Sequence, residues 1–183
     1  MRRFLATLTL AACIGVAGAA MTMSPPRPAA AGEALAAINP SAMIIDKIVV
    51  EKTERRLSLL SEGRPVRTWP ISLGWEPDGH KRYEGDGRTP EGWYVIDFRN
   101  PDSIYYRSLR ISYPNPQDRA AAAAIGKSPG GDIYIHGQPT TIRSSLRAKT
   151  MKDWTAGCVA VSNDAMDEIW RLVDLGTPIE ILP

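Results

Sequence analysis

From Met43 onward, apolar and polar positions alternate with a period of two, the mark of strands that bury one face. Lys47–Glu51 (KIVVE), Arg56–Leu60 (RLSLL) and residues 66–73 (VRTWPISL) read as three strands. The breaks between them, Thr53-Glu54 and Ser61-Glu62-Gly63-Arg64, are short enough for hairpins, so the pattern predicts an antiparallel meander. Trp93–Phe98 and Leu109–Tyr113 predict two further strands, ended by Asn100-Pro101 and Pro114-Asn115-Pro116. Asp132–Ile135 predicts another, leading into His136, and Thr177–Leu182 a last one. Helical periodicity is confined to two places. One is the alanine-rich run Gln117–Ile125, stopped at Gly126. The other follows Val161: Ser162 or Asn163 caps it, Asp164, Asp167 and Glu168 sit near its positive end, and Met166, Ile169, Trp170 and Val173 share a face. Gly176 closes it, and no internal repeat is visible.

Four stretches lack either period. Residues 74–92 form a long polar loop, set tightly by Gly85, Gly87, Pro90 and Gly92, which reads equally as a site wall or a surface crossover. Residues 138–153 carry Arg143, Arg147, Lys149 and Lys152 with little apolar periodicity, and read as a basic lid or a solvated crossover. Residues 20–43, with Pro25, Pro26, Pro28 and Asn39-Pro40, have the composition of an extended linker. Residues 1–19 read as a signal peptide: a basic start at Arg2-Arg3, an apolar core and the small residues Ala17-Gly18-Ala19. That stretch is short and rich in Ala and Gly, which argues against a permanent transmembrane helix. Leu10-Ala11-Ala12-Cys13 also resembles a lipobox, in which Cys13 would carry a lipid and tether the chain to a membrane. The expected organisation is a leader, a linker and one domain over residues 44–183, exported to the periplasm or cell envelope.

Charge narrows the function. The formal net charge is +2, and Arg2 and Arg3 account for it, so the remainder is balanced. That gives no electrostatic case for a nucleic-acid partner. Of two cysteines, Cys13 lies in the leader, which leaves Cys158 as the single thiol of a cleaved chain. Such a cysteine is either a buried inert residue or a reactive thiol. Its surroundings favour reactivity. The thiolate is the useful nucleophile, and a nearby imidazole is the usual means of producing one.

The chain has two histidines. His80, in Pro77-Asp78-Gly79-His80, reads as solvent-facing, whereas His136 ends an apolar strand and precedes Gly137, which admits a substrate or a loop backbone. In Thr155-Ala156-Gly157-Cys158, Gly157 would leave the N–H groups around Cys158 open to a developing oxyanion. Thr155 has three readings: a hydrogen bond to His136, one to a loop carbonyl, or a plain turn role. A helix N-terminus a few residues beyond Cys158 would favour the thiolate. One cysteine and two histidines at unrelated spacings do not make a zinc site, so no metal is expected.

Together, His136-Gly137, a spacer and Thr155-Ala156-Gly157-Cys158-Val159 resemble the signature of the L,D-transpeptidase (YkuD-type) catalytic domain family, and Thr89-Pro90-Glu91-Gly92 matches its upstream element. Asp153-Trp154-Thr155-Ala156-Gly157-Cys158 with Ser162-Asn163 is similar to a proteobacterial branch. The resemblance implies a mainly β fold, a mixed β-sandwich with a few short helices, and no cofactor. It implies Cys158 as nucleophile, His136 as general base and acid, and the Gly157–Cys158 backbone as oxyanion donor. The implied donor and amine acceptor are peptidoglycan stem peptides, joined through a thioester into a 3–3 cross-link. Alternatives on the same acyl-enzyme are an L,D-carboxypeptidase or hydrolase and a protein-to-wall ligase; a wall-binding module without catalysis is the third reading. Many members have arginine two residues after the cysteine, where this chain has Ala160. Arg88, Arg143 and Arg147 are the candidate replacements for contacting substrate, with Trp154 beside the motif.

Overall fold

The computed structural model describes residues 43–183; the leader, Cys13 and most of the linker lie outside the described residues. The strands are β1 (Lys47–Glu51), β2 (Arg56–Ser61), β3 (Arg64–Pro70), β4 (Gly92–Asn100), β5 (Ser108–Ile111), β6 (Tyr134–His136), β7 (Val159–Ala160) and β8 (Pro178–Leu182). Three short helices accompany them: α1 (Pro116–Ala124), α2 (Ile142–Thr150) and α3 (Asn163–Leu172). Among the described residues, no helix is long and apolar enough to cross a membrane.

The strands join in the order β3-β2-β1-β8-β4-β5-β6-β7. Pairing is antiparallel except for β1 with β8 and β6 with β7. β4 is the fold line. Its first half pairs with β8 and its second half with β5, with a register shift between Ile96 and Phe98 that bends the strand. The sheet therefore curls, and its far edges meet. Just beyond β3, Ser72 bridges Ala160 of β7, with the Ser72 N–H on the Ala160 carbonyl at 2.9 Å and the Ala160 N–H on the Ser72 carbonyl at 2.8 Å. The fold is mainly β with a few short helices, as the resemblance implied, and the expected mixed sandwich is formed by one curled, mixed sheet.

The period-two expectation is met on the inner face: Ile48, Val50, Ile179 and Ile181 alternate with exposed or half-buried neighbours and fill the core with Leu57, Leu59, Ile96, Leu109 and Ile135. α3 closes the core with Met166 and Ile169, both fully buried. Truncating either to alanine would cost about 2–5 kcal/mol. Ser162 caps the helix by accepting the Ala165 N–H.

Several element ends shift by a residue or two, and three differences from the sequence reading are larger or have a clear cause. β3 ends at Pro70, because a proline has no N–H to continue the ladder, and the next residues cross to β7 instead. The strand before His136 begins only at Tyr134, since Asp132 adopts φ +55°. Residues 142–150 fold as a helix within the segment that lacks apolar periodicity. Good helix formers at 146–149 support it, and Leu146 is largely exposed.

Candidate active site

His136 ends β6 and lies beside Ala160 of β7 in the parallel register. Cys158 immediately precedes β7. The curl of the sheet thus delivers both side chains to one place, and both line the same two cavities. One cavity, about 200 Å³, is otherwise walled by Trp75, Tyr105, Trp154, Thr155 and Ala156. The other, about 380 Å³, is walled by Asn100, Asp102, Ser103, Ile104, Tyr105, Ser108, Asp132 and Tyr134.

The imidazole is held firmly. His136 is only 2% exposed, and its Nδ1 lies 2.7 Å from the Gly137 carbonyl oxygen. A carbonyl can only accept, so Nδ1 carries the hydrogen and Nε2 keeps the lone pair. Tyr105 stacks on the ring at 4.5 Å between centroids, and Trp154 meets it edge-on at 5.6 Å. Burial pushes the imidazole down to about 4, against a smaller opposing effect of the Gly137 hydrogen bond.

The thiol donates to the Asp132 carbonyl at 3.6 Å, and the residue as a whole has intermediate exposure. Surrounding protein nonetheless desolvates a charge there, and burial pushes the thiol up to about 11. The Tyr134 N–H and the Lys81 ammonium act in the opposite direction, and the Asp132 carboxylate reinforces the rise. At neutral pH the two side chains are therefore a thiol and a neutral imidazole. A helix end was expected to favour the thiolate; burial instead raises the thiol.

The loop carrying Cys158 is shaped by its own residues. Thr155 Oγ1 donates to the Cys158 carbonyl at 2.8 Å and accepts the Gly157 N–H at 3.1 Å. Of the three readings for Thr155, the loop carbonyl is the one observed. The Gly157 N–H is engaged by this contact. Gly157 adopts φ +127°, and a Cβ there would fall 2.5 Å from the Arg88 carbonyl oxygen, so the position requires glycine. At Gly137 a Cβ would meet Asn163 Oδ1 at 2.6 Å and Tyr106 Cβ at 3.1 Å. Loop backbone and side chains, rather than open space for a ligand, occupy that approach.

Trp154 is buried against His136 and lines the smaller cavity. Arg88 backs the Gly157 loop with its carbonyl, but the cavity it lines, with Glu76, Arg82, Tyr83 and Asp86, is a separate one that includes neither Cys158 nor His136. Arg143 and Arg147 belong to α2, and their side chains lie outside the described residues. Ala160 is buried with both backbone groups on Ser72. His80 is not a free surface group: Nδ1 accepts the Glu91 N–H at 2.9 Å and Nε2 lies 3.1 Å from Asp118, which makes it a clamp on the 74–92 loop. Local pattern predicted otherwise because both partners are distant in sequence. It also missed Trp75, Tyr105, Asp102 and Asp132. Trp75 had one usable signal, its place at the start of a loop already read as a site wall. Among the described residues, no cluster of three or more His, Cys, Asp or Glu side chains is arranged to hold a metal ion.

Comparison with known proteins follows the same lines. A family model for the L,D-transpeptidase catalytic domain (YkuD) matches residues 45–181. The Escherichia coli (strain K12) protein named "Putative L,D-transpeptidase YafK" is 35% identical over 98 residues, which is 52% of this chain and 32% of that protein. Among solved structures, the helical cell shape determining protein Pgp2 from Campylobacter jejuni is 26% identical with a TM-score of 0.58, covering 75% of this chain and 47% of that one. Bd1075 from Bdellovibrio bacteriovorus is 26% identical with a TM-score of 0.54, covering 78% of this chain and 49% of that one. The chain thus spans about a third of the length of the curated relative and about half that of the solved structures.

Proposed function

Because the chain belongs to the L,D-transpeptidase catalytic-domain family, we propose that it is an exported acyltransferase that loads a peptidoglycan stem peptide onto Cys158 and passes it to an amine, forming 3–3 cross-links. The observation that carries this reading is the shared position of Cys158 and His136 between two cavities, of which only one is lined by carboxylate residues. One cavity supplies uncharged aromatic surface, suited to holding the donor peptide. The other presents two carboxylates, suited to an ammonium-bearing acceptor.

In the first half-reaction the stem-peptide carbonyl, that of the third residue at its L-centre, is brought to Sγ. His136 Nε2 takes the thiol proton as the C–S bond forms, so no resting thiolate is needed. The Cys158 N–H donates to the developing oxyanion. His136 then protonates the leaving terminal D-alanine amine, and a thioester remains. In the second half-reaction an amine attacks the thioester, giving its proton to His136, and the C–S bond breaks. The thiol recovers its proton from the imidazolium.

The same acyl-enzyme would serve an L,D-carboxypeptidase if water took the acyl group, and the two aspartates are what favour an amine. The name of Pgp2, a cell shape determining protein, is in keeping with action on the wall. Export rests on the leader-like residues 1–19. Incubation with a disaccharide-tetrapeptide, followed by mass spectrometry of the muropeptides, tests the reading. The expected product is a cross-linked dimer with one D-alanine released per link. Tripeptide monomer alone would replace transfer by hydrolysis, and no product from folded protein would reject the proposed activity.

A further inference from the structure

The β1–β2 turn, Lys52-Thr53-Glu54-Arg55, is far from both cavities in sequence, yet two of its four side chains are cations withdrawn from solvent. Lys52 is 2% exposed. Its Nζ donates to the Gly79 carbonyl at 2.7 Å, the Thr89 carbonyl at 3.3 Å and Glu91 Oε1 at 2.6 Å. All three acceptors belong to the 74–92 loop. Arg55 forms a fork on Asp153, with Nε 3.1 Å from Oδ1 and Nη2 2.9 Å from Oδ2. Its Nη1 donates to the Lys52 carbonyl, which ties the two cations together.

A hairpin turn has no need of buried charge, and an ammonium removed from water is costly unless fully paired. The pairing here is directed at two particular loops. Asp153 opens the segment that carries Trp154, Thr155, Gly157 and Cys158. Its Oδ1 also accepts the Leu73 N–H at 3.0 Å, beside the Thr155 N–H on the Leu73 carbonyl at 3.1 Å. Arg55 also holds the segment that leads into Leu73, since its carbonyl accepts the Ile71 N–H at 3.0 Å. Glu91 closes the loop that begins with Gly74 and Trp75, the latter a wall of the aromatic cavity. Arg55 keeps a left-handed backbone at φ +52°, uncommon for a residue other than glycine.

The geometry points to Lys52 and Arg55 as positioning residues: one turn sets the Cys158 loop through Asp153 and the cavity wall through Glu91, and so fixes the thiol relative to the bound donor. This inference rests on the reading of Cys158 as the acylated nucleophile. The two arms should separate kinetically. Loss of the Asp153 arm displaces the thiol, which acts on the chemical step, and loss of the Glu91 arm loosens the wall, which acts on binding.

The test is a time course of Cys158 acylation by a carbapenem over a range of concentrations, read by intact mass, on the full chain. It gives a saturation constant and a limiting rate for wild type, Asp153→Asn, Arg55→Lys and Glu91→Gln. Asp153→Asn should lower the limiting rate about 10–100-fold with the saturation constant within about threefold. Arg55→Lys keeps the charge but not the fork, so its limiting rate should fall between wild type and Asp153→Asn. Glu91→Gln should raise the saturation constant about 3–10-fold with little change in limiting rate. Thermal unfolding identifies the folded variants, and Arg55→Lys carries the test if Asp153→Asn does not fold. Limiting rates equal to wild type in folded Asp153→Asn or Arg55→Lys overturn the inference alone. So does a loss matched by the loss of folded protein, which marks a merely structural role. A folded wild type that is never acylated overturns the proposed function, and this inference with it.

Discussion

The two cavities that share Cys158 and His136 are built from different materials. Tyr105, stacked on the imidazole, is shared by both; on one side Trp154 meets the ring edge-on and Trp75 completes an uncharged wall. On the other, Asp102 and Asp132 are exposed and bring carboxylates to the edge of the cavity. The rigid side holds the ring and, in the proposed reaction, the acyl donor. The acidic side adds only electrostatic selection. What the contrast teaches is that acylation should depend on packing and acceptor choice on charge, and the two can be broken separately.

The largest effect removes what both sides share. Cys158→Ala should abolish acylation outright, and His136→Gln should lower it by about 10²–10⁴-fold, the range for loss of a general base. Both are checked by intact mass after incubation with donor. Since the change at Cys158 is small, its thermal unfolding should stay close to wild type.

The protonation states of the pair give the next test. With the thiol pushed up to about 11, alkylation by iodoacetamide should rise nearly tenfold per pH unit between about pH 7 and 10. A plateau below pH 8 would instead reveal a resting ion pair. Below about pH 6.5 an unfolded His136 takes up a proton that the buried ring, lowered to about 4, refuses. Stability should therefore fall as pH drops through that window, by on the order of 2–3 kcal/mol, and His136→Gln should flatten the loss in urea unfolding at pH 7 and 4.

On the aromatic side, Trp154→Leu removes the ring set edge-on to the imidazole and should slow acylation about tenfold, with hydrolysis and transfer reduced alike. On the acidic side, Asp102→Asn with Asp132→Asn should leave acylation unchanged. It should shift the product ratio from dimer toward hydrolysed tripeptide by about 3–5-fold, the scale of exposed charge interactions, and the shift should shrink in high salt. Equal responses on both sides would erase the distinction between the cavities.

Much of this was legible in the chain because it is locally encoded. Period-two alternation announced the strands, the capping serine and apolar face announced α3, and His136-Gly137 with Thr155–Cys158 announced the pair. The aromatic and acidic walls were not, since Tyr105, Trp75 and Asp102 are brought to the pair only by the curl of the sheet. The bridge between Ser72 and Ala160 that closes this curl joins residues 88 positions apart and has no local signature. His80 shows the same limit from the other direction: a polar loop context suggested a solvated ring, and Asp118, far along the chain, makes it a clamp. The protonation state of Cys158 was equally hidden, because desolvation depends on what packs around the sulfur and not on its neighbours in sequence.

The most direct measurement is the intact mass and peptide map of the protein after incubation with a carbapenem at neutral pH. One drug mass per chain is expected, mapped to Cys158 and absent from Cys158→Ala. Folded protein that remains unmodified, or an adduct on any other residue, would contradict it.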